Sequence, residues 1–162
     1  MGLWVAASFE VLLANDRAEV PRLSALLEEF GQREGLAVEV VFPVNLALEE
    51  IINNVLSYGF PEGHPFHCKV TVSLEGGALK AVIEDGGLAY DPLFQAPTPD
   101  LARDIEERPS GGLGVFFVKT LLDEVKYERL DNLNRITLAK NASARPAPRP
   151  RSGIASRRSK KA

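Results

Sequence analysis

The chain has 162 residues, which is enough for one domain with a hydrophobic core but not for two domains of ordinary size. Its formal charge of −3 conceals an asymmetry, because seven of the 19 basic residues follow Asn141, while residues 1–140 hold 12 basic and 22 acidic side chains. An acidic body with a charge of −10 argues against a nucleic-acid reader, whose affinity comes from neutralising phosphates, and favours a basic protein partner.

Cysteine content and the N-terminal segment indicate the compartment. The one cysteine, Cys68, cannot form an internal disulfide and is compatible with a reducing cytosol. Residues 1–14 are apolar but lack the basic start of a signal peptide, and no run approaches the length of a membrane span. His64 and His67 have no second pair of metal-binding residues elsewhere, so no metal site is predicted there. We expect a cytoplasmic protein that does not enter the membrane.

The first half of the chain predicts a strand, a helix, a short strand and a second helix. Residues 4–13 alternate loosely as a strand, and residues 18–34 have the apolar spacing of an amphipathic helix that stops at Gly31 or Gly35. Residues 38–42 form a short β-branched run before a proline. Asn45 is the predicted N-cap of the second helix, which ends at Gly59.

The second half predicts two pairs of strands around a long loop and a helix. Residues 67–74 and 79–84 form a hairpin through a paired-glycine turn, and residues 92–110 form a proline-containing loop or lid. A helix over residues 115–122 precedes strands over residues 124–129 and 135–140.

These elements predict an α+β two-layer sandwich, in which a mixed β-sheet carries helices packed on one face. Residues 1–140 form the domain, whereas residues 141–162 are rich in Pro, Arg and Ser and predict a disordered basic tail.

A polar stripe interrupts the apolar pattern of the second helix. Glu50, Asn53, Asn54 and Ser57 share one helical face, and two adjacent asparagines are poor residues for the middle of a helix. A solvated face explains such a stripe by itself. An asparagine oxygen also suits Mg²⁺ when nucleotide phosphates and waters complete the shell, with a carboxylate one turn away acting on an attacking hydroxyl.

Two glycine patterns follow. Asp85 and Gly87 come directly after a predicted strand, where the carboxylate accepts a hydrogen bond from an exocyclic amine or simply forms an Asp-Gly turn. Gly112 and Gly114 precede a predicted helix, whose free N–H groups attract phosphate. Neither pattern is a dinucleotide-binding fingerprint or a P-loop.

Taken together and in this order, the three patterns resemble the GHKL ATPase superfamily and, within it, the bacterial anti-sigma-factor serine/threonine kinases. The run around Glu50 and Asn54 resembles the N box of that family, in which Glu50 falls on the general base and Asn54 on the magnesium-ligating asparagine. The resemblance covers most of residues 1–140 and implies the Bergerat ATP-binding fold.

The resemblance also assigns roles to the glycine patterns and to the last strand. Asp85 falls on the adenine-binding aspartate and Gly87 on its glycine box, while Gly112 and Gly114 match the second glycine box. Thr137, in the last strand, is implied to hydrogen-bond near adenine.

The resemblance implies a kinase that uses ATP and Mg²⁺ to phosphorylate a STAS-domain anti-anti-sigma protein, that sequesters a sigma factor and that forms a homodimer. The alternative from another class is a nucleotide-binding anti-sigma adaptor without phosphotransfer. A histidine-kinase catalytic domain fits less well, because only residues 1–44 precede the N box and leave no room for a phosphoacceptor helix pair. Nucleic-acid binding by the basic tail is a further alternative, testable by its salt dependence.

Overall fold

The computed structural model describes residues 7–91 and 113–142, whose strands alternate with helices broadly as the sequence predicts. The described strands are β1 (Ser8–Leu13), β2 (Cys68–Glu75), β3 (Ala78–Asp85), β4 (Glu124–Leu130) and β5 (Leu133–Asn141). The described helices are α1 (Glu19–Arg33), α2 (Val38–Asn54) and α3 (Leu113–Leu121), and a π-helical turn, Val55–Gly59, continues α2. The predicted loop over residues 92–110 and most of the predicted tail lie outside the described residues.

The five described strands form one sheet in the order β1-β2-β3-β5-β4. The sheet with its helices confirms the predicted two-layer α+β architecture. Every neighbouring pair of described strands is antiparallel, so the prediction of a mixed sheet was wrong. Tight turns account for two of the four pairs, β2–β3 and β4–β5, because a turn of two residues joins only antiparallel neighbours. Gly76 and Gly77 have φ values of 58° and 78° in the β2–β3 turn, and Asp131 has a φ of 53° in the β4–β5 turn.

Alternation along the strands separates a buried face from a charged one. On β3, Leu79, Ala81 and Ile83 are fully buried under the helices, whereas Lys80 and Glu84 lie on the opposite face. A strand has a side-chain period of two, so every second residue reaches the helical layer. The same alternation decides which side chains of β3 and β5 reach the candidate site.

Helix α2 lies at the centre of the helical layer, and the predicted start of this helix was wrong. The helix begins at Val38 and includes Pro43, whereas the predicted N-cap, Asn45, lies inside it and accepts a hydrogen bond from Ser24 Oγ at 2.7 Å. Three of residues 38–42 are β-branched valines, which favour a strand, but the buried positions recur at helical spacing from Val40 onward. Packing therefore outweighs the local preference and the missing proline N–H.

The central helix is apolar enough to pass a simple membrane-span criterion. Val38–Gly59 spans 22 residues, its most apolar stretch has a mean hydropathy of 1.2, and 50% of that stretch is buried inside the fold. Burial of this extent between a sheet and two other helices is typical of the core helix of a soluble domain.

Of the two glycines predicted to end α1, Gly35 does so and Gly31 does not. Gly35 adopts a φ of 66° and the N–H of Leu36 donates to the carbonyl of Gly31 at 2.8 Å, as expected for a glycine-terminated helix. Gly31 is buried, and a Cβ placed on it would lie 2.6 Å from Val41 Cγ2 of α2. Its role is therefore the close packing of α1 against α2.

Candidate functional site

A cavity of about 150 Å³ opens between the second half of α2, the π-helical turn and the adjoining ends of β3 and β5. Its lining is mostly apolar, with a small number of polar side chains, as is typical of a small-molecule site. The apolar lining comes from Ile51, Val55, Leu88, Ala89 and Ile136, and the polar lining includes Asn54, Asp85 and Asn134.

Asp85 is the buried acid of this cavity, as its predicted role requires. It is the last residue of β3 and is 3% exposed. Its Oδ1 atom accepts hydrogen bonds from the Gly87 N–H at 2.9 Å and from Asn134 Nδ2 at 3.0 Å. Its second oxygen, Oδ2, has no hydrogen-bond donor among the described residues, and Asp85 is part of the cavity lining.

Burial raises the pKa of Asp85, because desolvation disfavours its charged form. The hydrogen bonds from Asn134 and Gly87 and the positive charge of Arg129 act in the opposite direction and lower this pKa. Burial of the Asp85 carboxylate therefore costs free energy, and the hydrogen bonds and the charge of its neighbours offset part of that cost.

Gly87 allows the loop after β3 to dock against the end of the π-helical turn. A Cβ on this residue would lie 2.5 Å from the carbonyl oxygen of Gly59 and 2.9 Å from Asp85 Oδ1. The next residue, Leu88, donates its N–H to the same Gly59 carbonyl at 2.9 Å. Glycine at this position thus permits a close approach between two backbone segments of the chain.

Asn54 and Asn53 are adjacent in sequence but lie on different surfaces. Asn54 is partly buried and lines the cavity, while Asn53 is exposed and does not. Successive residues of a helix are about 100° apart, so only one of the two amides reaches the cavity. Asn54 is the one that the predicted role requires.

Glu49 and Glu50 are also adjacent in sequence but are directed toward different elements. Glu49 Oε1 accepts a hydrogen bond from Ser24 Oγ at 2.7 Å, so Glu49 is directed toward α1. Glu50 does not line the cavity itself, but its carboxylate lies against the backbone of Gly114 in α3. Glu50 is therefore placed between the N-box helix and the glycine-containing start of α3.

Gly114 leaves room for the Glu50 side chain, because a Cβ at residue 114 would overlap the Glu50 carboxylate group. Helix α3 begins at Leu113, two residues earlier than predicted, so Gly114 lies in its first turn instead of preceding it. Gly112 lies outside the described residues.

The structure contradicts the placement predicted for Thr137. This residue lies on the opposite face of β5, where it lines an open cleft together with Lys80, Lys126 and Arg135. Asn134, Ile136 and Leu138 are the residues of β5 that face the helices, and a strand side chain between two of them must point the other way. Thr137 is therefore not a residue of this cavity.

Asn134 is a residue of the cavity lining that was not predicted from the sequence. It pairs directly with Asp85 across β3 and β5, and its side chain is 4% exposed. The predicted last strand began at residue 135 and left Asn134 outside it, whereas the turn consists only of residues 131–132 and β5 begins at Leu133. Asn134 lies two residues before Ile136 and four before Leu138, the spacing of side chains on one strand face. A predicted turn of two residues would have placed Asn134 on that buried face.

The donor set determines how a metal ion would be held. Among the described residues, no group of three or more His, Cys, Asp or Glu side chains is arranged to bind a metal ion. Burial raises the pKa of Cys68 to about 12, so its thiol stays protonated, and the His64 ring lies 2.9 Å from the Gly86 carbonyl oxygen. A Mg²⁺ ion bound through one amide oxygen and nucleotide phosphates fits this donor set, whereas an all-protein cage does not.

The chain is similar in sequence to proteins of known families. The family profile described as "Histidine kinase-like ATPase domain" matches residues 13–140. "Serine/threonine-protein kinase BtrW" of Bordetella bronchiseptica is 31% identical over 117 residues, which cover 72% of this chain and 82% of the relative. "Serine-protein kinase RsbW" of Listeria monocytogenes is 28% identical over 103 residues, which cover 62% of this chain and 66% of the relative.

Two solved structures support the fold. The RsbU and RsbW domains of Rv1364c from Mycobacterium tuberculosis match with a TM-score of 0.60 at 15% identity, covering 83% of this chain and 32% of that longer chain. The histidine kinase domain of Erythrobacter litoralis EL346 matches with a TM-score of 0.50 at 15% identity, covering 88% of this chain and 71% of that chain. The chain belongs to the histidine kinase-like ATPase family, in which it is an RsbW-like GHKL protein kinase.

Proposed function

We propose that this protein binds ATP with Mg²⁺ in the cavity beside α2, phosphorylates a serine or threonine of a STAS-domain anti-anti-sigma protein, and sequesters a sigma factor. The observation that carries the proposal is the convergence of Asn54 and the open Oδ2 atom of Asp85 on one small apolar cavity. An apolar slot with one buried acceptor suits a flat base that carries an exocyclic amine.

Three side chains of the chain divide the work. Asp85 accepts the hydrogen bond of the base, and the Asn54 amide oxygen is the protein ligand for Mg²⁺. When bound, the metal ion supplies positive charge that offsets the charge of the phosphates. Glu50 lies one helical turn before Asn54, beside the start of α3, where it accepts the proton of the attacking hydroxyl.

The reaction is a phosphoryl transfer. The hydroxyl oxygen of the substrate forms a bond to the γ-phosphorus, the bond from that phosphorus to the β–γ bridging oxygen breaks, ADP leaves and Glu50 takes the hydroxyl proton. Little covalent chemistry falls to the protein, so catalysis depends on holding the groups in place.

The partners are proposed from the resemblance to anti-sigma-factor kinases and from charge. Residues 1–140 carry a formal charge of −10, which complements a basic surface on a sigma factor and speeds the encounter with it. We also propose a homodimer in the cytoplasm. Sedimentation of the purified chain tests the dimer, and a single species at 17.7 kDa contradicts it.

Labelled phosphate provides the direct test of transfer. The full chain is incubated with γ-labelled Mg-ATP and a panel of purified STAS-domain proteins, and label is expected on one of them. Bound ATP without label on any STAS protein would favour the alternative function, a nucleotide-dependent anti-sigma adaptor without transfer.

Two pairs of neighbouring residues in α2 supply matched variants for this test. Asn54→Ala is expected to abolish Mg²⁺-dependent ATP binding, whereas the exposed Asn53→Ala keeps it. Glu50→Gln keeps ATP binding and lowers the transfer rate by roughly 10²- to 10⁴-fold, the usual contribution of a positioned base. Glu49→Gln, whose carboxylate is directed to Ser24, keeps the rate. Equal transfer rates for Glu50→Gln and the parent would remove Glu50 from the mechanism.

A further inference from the structure

Asn134 joins three elements around Asp85 and uses its full hydrogen-bonding capacity. Its Nδ2 group donates to Asp85 Oδ1 at 3.0 Å and to the Leu88 carbonyl at 2.8 Å. Its Oδ1 atom accepts from Tyr127 Oη at 2.8 Å and from Arg129 Nη1 at 2.8 Å. An amide has two N–H donors and one carbonyl acceptor with two lone pairs, so no donor of Asn134 remains free.

The partners of Asn134 leave only one orientation of its amide. An arginine guanidinium only donates and a backbone carbonyl only accepts, so the Asn134 oxygen must face Arg129 and its nitrogen must face Leu88 and Asp85. Arg129 Nη1 also donates to the Gly87 carbonyl at 3.1 Å, which ties the loop after β3 to the edge strand β4.

The amide orientation determines what the cavity offers to a base. Asp85 Oδ1 is occupied by two donors, and Oδ2, which has no donor among the described residues, remains as an acceptor for a ligand in the cavity that Asp85 lines. An amino group at the six-position of a purine complements this acceptor. A six-oxo group instead places one acceptor against another, and Asn134 has no spare N–H to compensate for it.

The charge of Asp85 depends on the same neighbours. Cys68 and His67 approach from the β2 side, and Arg129 approaches from β4. Within this set Arg129 supplies the permanent positive charge, while burial favours the protonated carboxyl. A protonated Asp85 would be a donor as well as an acceptor and would tolerate a six-oxo group.

We propose that Asn134, held by Arg129, is a positioning residue that makes the site selective for 6-aminopurine over 6-oxopurine nucleotides. The inference rests on the proposed nucleotide site and names a determinant of its specificity. Asn134 acts through Asp85 and the loop that ends β3, since its own donors are already occupied.

The test compares ATP with inosine triphosphate, because these nucleotides differ only at the six-position and the adjacent ring nitrogen. Calorimetric titrations with Mg²⁺ give the ratio of the two Kd values for the full chain and its variants. The parent is expected to prefer ATP by at least about tenfold, as one charge-assisted hydrogen bond predicts. Arg129→Met is expected to reduce this preference about fivefold, and Asn134→Ala to reduce it to nearly one, because a water in place of the amide presents either a donor or an acceptor.

Arg135→Met is the matched control. Arg135 is an arginine of β5 on the opposite sheet face, where it pairs with Glu84 at 2.7 Å, so its removal leaves the ratio unchanged. A merely structural role of Arg129 or Asn134 would weaken both nucleotides by the same factor and leave the ratio intact. That result would overturn the proposal. Because Arg129 is exposed, Arg129→Met is expected to fold, so this variant decides the test even if Asn134→Ala does not fold.

The outcomes separate this proposal from the proposed function. Selective ATP binding that relaxes in Arg129→Met, without label on any STAS protein, supports the positioning role and overturns the proposed transfer to a STAS-domain protein. Label on a STAS protein together with an unchanged ratio overturns only the positioning role. Failure of the parent to bind either nucleotide overturns both.

Discussion

Replacing Asp85 by asparagine is expected to separate nucleotide binding from folding. The Oδ1 atom can keep both of its hydrogen bonds, from Gly87 N–H and from Asn134 Nδ2, because an asparagine oxygen accepts as a carboxylate oxygen does. The new amide nitrogen takes the place of Oδ2 and directs two N–H donors into the cavity. Asp85→Asn therefore changes the open side of the residue and leaves its buried side intact.

The loss of ATP affinity follows from that one open atom. A hydrogen bond to a charged acceptor contributes about 1.5–3 kcal/mol, and the amino group of adenine now meets a donor instead. A total loss of about 3 kcal/mol corresponds to roughly 150-fold weaker binding. Inosine triphosphate is expected to bind at least as tightly to Asp85→Asn as ATP does.

Stability without nucleotide should change in the opposite direction. Burial raises the pKa of Asp85 above its ordinary value of 3.8, so the folded protein binds more protons than the unfolded chain in the interval between the two pKa values. The free energy of unfolding of the parent therefore falls as pH rises through that interval and stays lower above it. Asp85→Asn removes this penalty, so its Tm exceeds that of the parent at pH 7 by a margin that shrinks toward pH 4.

Thermal unfolding at several pH values and calorimetric titration with ATP and inosine triphosphate measure both effects on the same samples. A lower Tm for Asp85→Asn at pH 7 would refute the argument that the carboxylate is a costly group in the empty fold. An unchanged Kd for ATP would refute the assignment of Oδ2 to the base.

Two glycine substitutions should act on different properties. Gly114→Ala is expected to leave Tm unchanged or slightly raised, since alanine favours a helix by up to about 1 kcal/mol over glycine. The same substitution is expected to slow phosphate transfer at least about tenfold, because the new Cβ displaces the flexible Glu50 side chain. Unfolding scans and labelled-phosphate rates measure the two effects, and a transfer rate equal to that of the parent contradicts the second. Gly87→Ala is expected to cost about 1–3 kcal/mol of stability in denaturant titrations, because its Cβ would meet a backbone oxygen, that of Gly59, which cannot move aside cheaply. Gly86→Ala, whose Cβ has only an ordinary contact at 3.7 Å, is its control, and equal costs for the two would contradict the argument.

Local patterns in the sequence are reliable where short-range physics decides the outcome. The amphipathic spacing of α1 and the paired glycines between β2 and β3 predict these elements almost to the residue, because helix spacing and turn geometry are local properties. The β-branched run at residues 38–42 misled the prediction for the same reason, since it has a local preference for a strand that burial of the helix overrides.

The site residues divide in the same way. Asn54 reaches the cavity and Asp85 forms its buried acceptor, and both were chosen from short motifs in the sequence. Thr137 was placed on the wrong face of β5, because its role came from a resemblance to the last strand of the family. Spacing along the chain does not tell which face of that strand packs against the helices, and side chains one residue apart point to opposite faces.

The sequence by itself determined the family, the order of most elements and the acid, amide and glycine positions that a nucleotide site requires, because those signals are carried by residues close together in the chain. Only the tertiary structure showed that Glu49 is directed to α1 while Glu50 meets Gly114, and that Asn134 is the strand partner of Asp85. These pairings join residues that are tens of positions apart. Strand register and the packing of α2 decide them, and neither can be read from spacing along the chain.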